Sequence, residues 1–172
     1  LVMFFCDNGS GGGGRGLRGA GPKGGAGQLA LRGGKGSVFE GGIRVPAVLR
    51  WPGVIPAGAT SGQLISDVDL FPTLTTALGV APKNSKPFDG VNVWDALRKN
   101  KIAKRKPVMV AGPRGEFALL QSRWKLIWSP QQTSLYDVSQ DPTESRDVIL
   151  NHPIIAAELA EALASFKTPD KK

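Results

Sequence analysis

One cysteine in 172 residues leaves no partner for an internal disulfide, so packing alone must hold the fold, and the redox compartment stays open. No stretch reaches the roughly 18 consecutive apolar residues of a membrane-spanning helix, which gives the expectation of no membrane span. The opening run Leu1 to Cys6 (LVMFFC) has no basic region before it and no small-residue cleavage site after it, so it is not a signal peptide. The single histidine, His152, stands in Asn151-His152-Pro153 ahead of the last helical pattern, a place for capping or surface contact rather than catalysis. With 41% hydrophobic and 21% charged residues, 23 Gly and 13 Pro, the chain is not a collagen, a disulfide scaffold or a disordered tail. Its length allows one sizeable core, or one core plus a small appendage, and argues against two full enzyme domains.

What is present is a formal net charge of +8, of which six units come from Arg98 to Lys106 (RKNKIAKRK). A basic run can bind an anionic surface or nucleic acid, yet solvated enzyme loops have the same composition, and that reading is preferred. LVMFFC is wholly apolar, as a central parallel strand covered on both faces would be, and it demands partner strands and helices that the rest of the chain supplies sparsely. The expectation is therefore a piece of a longer protein. Residues 9–34 form a glycine-rich loop, since so many glycines lose too much backbone entropy to make helix or strand. Ser10 to Gln28 is expected to be mobile, and Arg32 to Arg44 ordered.

Arg44 to Trp51 reads as a strand near an edge. Asp67 to Leu78 carries Val68, Phe71, Leu74 and Leu78 at helical spacing, with Ser66 or Asp67 as cap and Gly79 as stop. A short helix spans Val91 to Lys99. Strands are expected at Pro107 to Ala111, Glu116 to Gln121, Trp124 to Trp128 and Leu135 to Val138, the middle two joined as a hairpin through Ser122-Arg123. Ile154 to Phe166 reads as an amphipathic helix, with Ile155, Leu159, Leu163 and Phe166 facing the sheet. Several antiparallel strands plus a terminal helix make an α+β layer in the chain taken alone.

Gly14 to Gly19 fits G-x-G-x-x-G, but no strand leads into it and no helix follows, so the dinucleotide reading fails. Arg32-Gly33-Gly34-Lys35-Gly36 resembles a phosphate loop but has Gly36 where a Ser or Thr must bind Mg²⁺. Arg and Gly interspersed resemble RNA-binding tracts, without an aromatic before Phe39 to stack a base. Asp7-Asn8-Gly9 places a carboxylate and an amide oxygen just past an apolar strand, where open α/β sheets hold ligands, and both are hard donors suited to Ca²⁺ or Mg²⁺. An Asx turn explains the tripeptide equally well, and on these three residues alone the turn is preferred.

The whole string changes that balance. LVMFFCDNG, a glycine-rich loop, LRGGKGSVFEGGIRVPAVLRWPGVI, the SDVDLFPTL helix, DGVNVW and LYDVSQDPTES together resemble the type I, formylglycine-dependent sulfatases, the arylsulfatase branch of the alkaline phosphatase superfamily. The likeness runs from residue 1 to about 166 and is to the C-terminal part of such an enzyme. It implies the end of an alkaline-phosphatase-like α/β domain in residues 1–100 and a C-terminal subdomain, an antiparallel sheet with a helix, in residues 101–172. It also implies that Asp7 and Asn8 are the last two protein ligands of an active-site Ca²⁺, and that Lys35 contacts the sulfate. An ammonium there would neutralise an anionic ester and the charge on the departing oxygen. Glu40 and Arg44 would orient the loop.

The family's formylglycine arises from Cys or Ser in C/S-x-P-x-R. Cys6 is followed by Asp7, Asn8, Gly9 and Ser10, so it is read instead as a buried thiol at a strand end. The resemblance thus implies a Ca²⁺-dependent hydrolase of organic sulfate esters on carbohydrates or small aromatics, located in the periplasm or secreted, with the formylglycine outside this stretch. The 172 residues alone are expected to be inactive. Two alternatives compete: a phosphodiesterase or phosphonate hydrolase of the same superfamily, disfavoured because those relatives carry His where Asn8 stands, and a basic Arg-Gly nucleic-acid-binding protein, which leaves EGG-x-R-x-P unexplained.

Overall fold

The structure, a computed structural model, describes residues 1–9, 31–80 and 87–167. The mobility expected of Ser10 to Gln28 lies outside the described residues. Two compact units emerge, interleaved in sequence: Leu1–Phe4 with Val48–Lys106, and Phe5–Ala47 with Pro107–Lys172.

The second unit is built on a four-stranded antiparallel meander, β3 (Val108–Ala111), β4 (Phe117–Gln121), β5 (Trp124–Trp128) and β6 (Thr133–Asp137), in that spatial order. The expected strands are all there, β6 beginning two residues earlier than the sequence reading. β4 and β5 turn through Ser122-Arg123, with Ser122 at φ 56°, and Gln121 pairs with Trp124. Register puts Met109, Leu119, Leu126 and Leu135 in one cross-strand row, the last three fully buried. Helix α4 (Pro153–Lys167) lays Ala156, Leu159 and Leu163 on that row. Fully burying each such leucine contributes about 1.5–3 kcal/mol. Ile155 packs at the flank as expected, but Phe166 is 41% exposed. The burying stripe is 156, 159 and 163, and the helix runs on past the cluster that would have covered Phe166.

Strand side chains alternate between faces, so Leu120, Lys125 and Tyr136 form the next row on the opposite face of the meander. That face is covered by residues 31–47, which include a four-residue helix, α1 (Glu40–Ile43), not foreseen within the loop.

All but one residue of each of β1 (Val2–Phe5) and β2 (Ala47–Arg50), paired in a two-stranded sheet, belong to the first unit. The expected burial of β1 on both faces is not met: Val2, Phe4 and Phe5 are exposed, and its one partner among the described residues is β2. Beyond β1, Cys6 is half-buried rather than buried. A 3₁₀ turn at Asp67–Asp69 leads into α2 (Leu70–Ala77), and α3 (Trp94–Lys99) ends on Asn100 in the left-handed conformation. α2 forms where expected but is turned around. Asp69, Pro72 and Thr73 are buried while Val68, Phe71 and Leu78 are exposed. Polar bonds set this orientation. Asp69 accepts hydrogen bonds from the backbone N–H groups of Ser66 and Val91 (both 2.8 Å) and pairs with Arg105. Thr73 Oγ1 accepts one from Val93 N–H at 3.1 Å. The basic run is thus partly structural, with Arg105 buried on Asp69 and Arg98 and Lys99 within 3.3 and 3.5 Å of Asp95.

Candidate functional site

The candidate residues all lie in the second unit, and backbone contacts that only glycine permits seat them. Past β1, Cys6 N–H donates to Pro46 O (3.4 Å) and Gly9 N–H to Gly42 O (3.1 Å), which carries the Asp7-Asn8 bend onto α1. A Cβ on Gly9 would lie 2.2 Å from Gly41 O and 2.5 Å from Gly42 O, inside van der Waals contact. On its other side α1 meets the turn that holds Lys35. Ser37 N–H donates to Gly34 O (2.9 Å), Gly34 N–H donates to Ser37 Oγ (3.2 Å), and a Cβ on Gly42 would reach Ser37 O at 2.3 Å and Gly34 O at 2.6 Å. One helical turn therefore carries both the 7–8 bend and the 34–37 turn. Asp7, Asn8 and Lys35 are all exposed, and among the described residues no hydrogen bond or ion pair links Lys35 to Asp7 or Asn8.

A carboxylate and an amide carbonyl are the hard donors that Ca²⁺ takes, and exposure leaves them free to bind. They fit in kind and fall short in number. Calcium takes six to eight oxygens, and the described residues hold no group of three or more His, Cys, Asp or Glu side chains placed for a metal.

Beneath α1 lies a charged cluster that the sequence reading did not find. Lys125 is 0% exposed, Glu144 1% and Glu40 4%. Lys125 Nζ lies 2.9 Å from Glu40 Oε1 and 2.7 Å from Glu144 Oε1. The other oxygen of Glu144 accepts the Glu40 backbone N–H at 2.7 Å, and Arg44 reaches Glu40 Oε2 at 3.5 Å. Two carboxylates face two cations, so the cluster is balanced. Arg32 anchors the other end of the loop. Its guanidinium donates to Tyr136 Oη (3.1 Å) and Glu144 O (3.0 Å) and stacks 3.9 Å from the Phe39 ring centroid. The orienting role expected of Glu40 and Arg44 has this physical form. A lysine inside the apolar string WKLIW was the available signal for Lys125, and the E of D-P-x-E the signal for Glu144.

Asp141, in the same D-P-x-E segment, shapes the turn that presents Glu144. It accepts bonds from Thr143 Oγ1 (2.7 Å), Ser145 Oγ (3.1 Å) and Arg146 N–H (2.8 Å). Burial pushes its carboxyl upward, but these donors together hold it below the usual aspartate range. His152 takes the expected capping position, ending the Ile149–Asn151 turn and standing directly before α4, where its carbonyl accepts the Ala156 N–H at 3.0 Å; it is half-buried, its ring 4.7 Å from that of Trp124.

Comparison with known proteins adds what geometry alone does not. The family described as Sulfatase matches residues 1–80. An N-acetylgalactosamine-6-O-sulfatase of Bacteroides thetaiotaomicron is 29% identical over 154 residues, covering 80% of this chain and 30% of that protein. Human arylsulfatase A is 35% identical over 153 residues, 83% of this chain and 27% of that one. The crystal structure of Ps i-CgsB superposes with a TM-score of 0.78 at 28% identity over 95% of this chain and 35% of that chain, and it has also been solved in complex with k-i-k-neocarrahexaose. The chain spans about a third of the length of the proteins it matches.

Proposed function

We propose that this chain, which belongs to the sulfatase family, is the C-terminal part of a Ca²⁺-dependent, formylglycine-bearing hydrolase of organic sulfate esters, and that Asp7, Asn8 and Lys35 are its contribution to the active site. The observation that carries this reading is the shared seat. One glycine-built helical turn holds a hard-oxygen bend on one side and an exposed ammonium on the other, the pairing that an anionic ester bound beside a cation requires.

Ca²⁺, when bound, would draw off charge from the sulfate oxygens and the hydrated nucleophile. Asp7 would offer it a charged oxygen and Asn8 a neutral one. Lys35 would hold the sulfate by charge and hydrogen bonding, its turn fixed by Ser37. The nucleophile would come from outside these 172 residues. Sulfated carbohydrates are the substrate class favoured, because the relatives that match over four-fifths or more of this chain include an N-acetylgalactosamine-6-O-sulfatase and a protein solved with k-i-k-neocarrahexaose. A periplasmic or secreted location follows from the same reading.

The test is the longer protein, expressed with its formylglycine formed and supplied with Ca²⁺, assayed against aryl sulfate, sulfated monosaccharides, a phosphate diester and a phosphonate ester. Preferential release of sulfate supports the reading. Preferential cleavage of the phosphorus esters would assign the protein to the sister activity instead.

A further inference from the structure

We propose that Lys125, acting with Glu144, is a positioning residue for the Lys35 turn, so that the C-terminal sheet serves as the brace of the anion-binding loop; the functional half of this inference rests on the reading above.

The argument begins with cost. Three side chains with formal charge are withdrawn from water here, and burying charge is unfavourable unless partners and hydrogen bonds replace the water. An apolar trio of similar volume would have filled the same space without that cost, but apolar contact is non-directional. The charged version fixes direction at each point. Lys125 Nζ sits between Glu40 Oε1 and Glu144 Oε1 at 2.9 and 2.7 Å. Glu144 Oε2 takes the N–H of Glu40, the first residue of α1, where Phe39 gives no side-chain cap. A helix start leaves its first N–H groups unpaired, and here the meander's outgoing loop supplies the acceptor. Arg32 pins the same loop through Tyr136 and the Glu144 carbonyl. Lys35 stands between these anchors, three residues after Arg32 and five before Glu40.

Lys125 itself is held on an interior strand of the meander. It is the second residue of β5, with β4 and β6 on either side, opposite Leu120 and Tyr136. Its strand neighbours Trp124 and Leu126 point to the α4 face, so Lys125 projects to the opposite face, which it shares with Ile127, and reaches the loop's underside. Motion of α1 away from Lys125 would carry with it Gly42, which touches the 34–37 turn, and Gly41, which touches Gly9. Lys125 therefore sets the placement of Lys35 and of the Asp7-Asn8 bend without touching either.

Two measurements test this. In the first, amide hydrogen exchange is followed in the 172-residue chain and its Lys125→Met, Lys125→Arg and Glu144→Gln variants. Residues 32–44, the Glu40 amide above all, should exchange at least ten-fold faster in Lys125→Met and Glu144→Gln, while the amides of β4 and β5 keep their protection, and Lys125→Arg should recover part of the loss. Equal acceleration of loop and ladder would reduce Lys125 to general stability, and an unchanged loop would remove the brace altogether. Glu144→Gln serves if Lys125→Met fails to fold. In the second, kcat and KM for an aryl sulfate are compared in the longer protein bearing Lys35→Ala, Lys125→Met and both. If Lys125 acts through Lys35, the double variant is no worse than Lys35→Ala within about three-fold. Multiplying losses would overturn the functional half. Absence of sulfate release in the unaltered protein would instead overturn the enzymatic reading, and the exchange result would still decide the brace.

Discussion

At Gly9 and Gly42 a single methyl group would disturb the candidate site, since each would drive a Cβ to within 2.3 Å of a carbonyl oxygen on a neighbouring segment. Gly42→Ala should cost about 1–3 kcal/mol through forced backbone movement, read as a lower denaturation midpoint with loosened residues 34–44. Lys35 tests chemistry rather than packing. In the longer protein Lys35→Ala should lower kcat/KM by roughly two to three orders of magnitude, the scale of losing one preorganised electrostatic donor. Asp7→Ala should do at least as much harm. Raised Ca²⁺ should recover part of the Asp7 loss and none of the Lys35 loss, and near-normal kinetics in Lys35→Ala would strip that residue of its role. Asp141 gives a pH signature. Its folded carboxyl lies below the ordinary value of 3.8, so its contribution to stability is present above that pH and fades as pH falls through the depressed value. The stability gap between the unaltered chain and Asp141→Asn should close on the same path, and a gap independent of pH would contradict it. The motif G-G-K-G-x-x-x-E-G-G was legible in the sequence, but its reason was not. Contacts such as Lys125 with Glu40, 85 residues apart, leave no mark on local pattern.

Among the elements, the meander and its helix were the most legible. Alternation fixed the strands to within two residues, and the Leu159 and Leu163 positions of α4 followed from helical spacing. Spacing says which residues share a face, not which face turns inward. For α4 the apolar stripe faced the sheet, and Leu159→Ala should cost about 2–5 kcal/mol, whereas Phe166→Ala should stay within about 0.5 kcal/mol. For α2 the apolar stripe faced outward because Asp69 and Thr73 found bonded partners on the other side. Asp69→Ala leaves Arg105 buried without its carboxylate and should cost about 3–5 kcal/mol, more than Phe71→Ala, whose ring is 58% exposed. Denaturant titration ranks the four variants, and a Phe71 effect larger than that of Asp69 would reverse the assignment of faces.

At the scale of the whole chain, the apolar surface and the incomplete site point the same way. Val2, Phe4, Phe5 and Val48 on the two-stranded sheet are exposed, as are Val68, Phe71, Leu78 and Val80 around α2. Exposed large apolar side chains, where they gather, mark contact with another partner or a liability to associate, and this chain matches only about a third of the length of such relatives as the Bacteroides sulfatase and human arylsulfatase A. The 172 residues by themselves should therefore bind a hydrophobic dye and self-associate at micromolar concentration, with the longer protein doing neither. Catalysis should be missing for a separate reason. Asp7 and Asn8 supply two oxygens where Ca²⁺ takes six to eight, so calcium should bind the chain weakly, and the sequence contains no C/S-x-P-x-R to supply a formylglycine. Lys35 can attract a sulfate but cannot cleave one, because charge stabilisation lowers a barrier only where a reaction path exists. Homogeneous 172-residue protein should release no sulfate from an aryl sulfate at any calcium concentration. Turnover by that preparation, lost again in Lys35→Ala, would mean that the chain carries a complete active site, and the division of labour argued for Asp7, Asn8 and Lys35 would have to be abandoned.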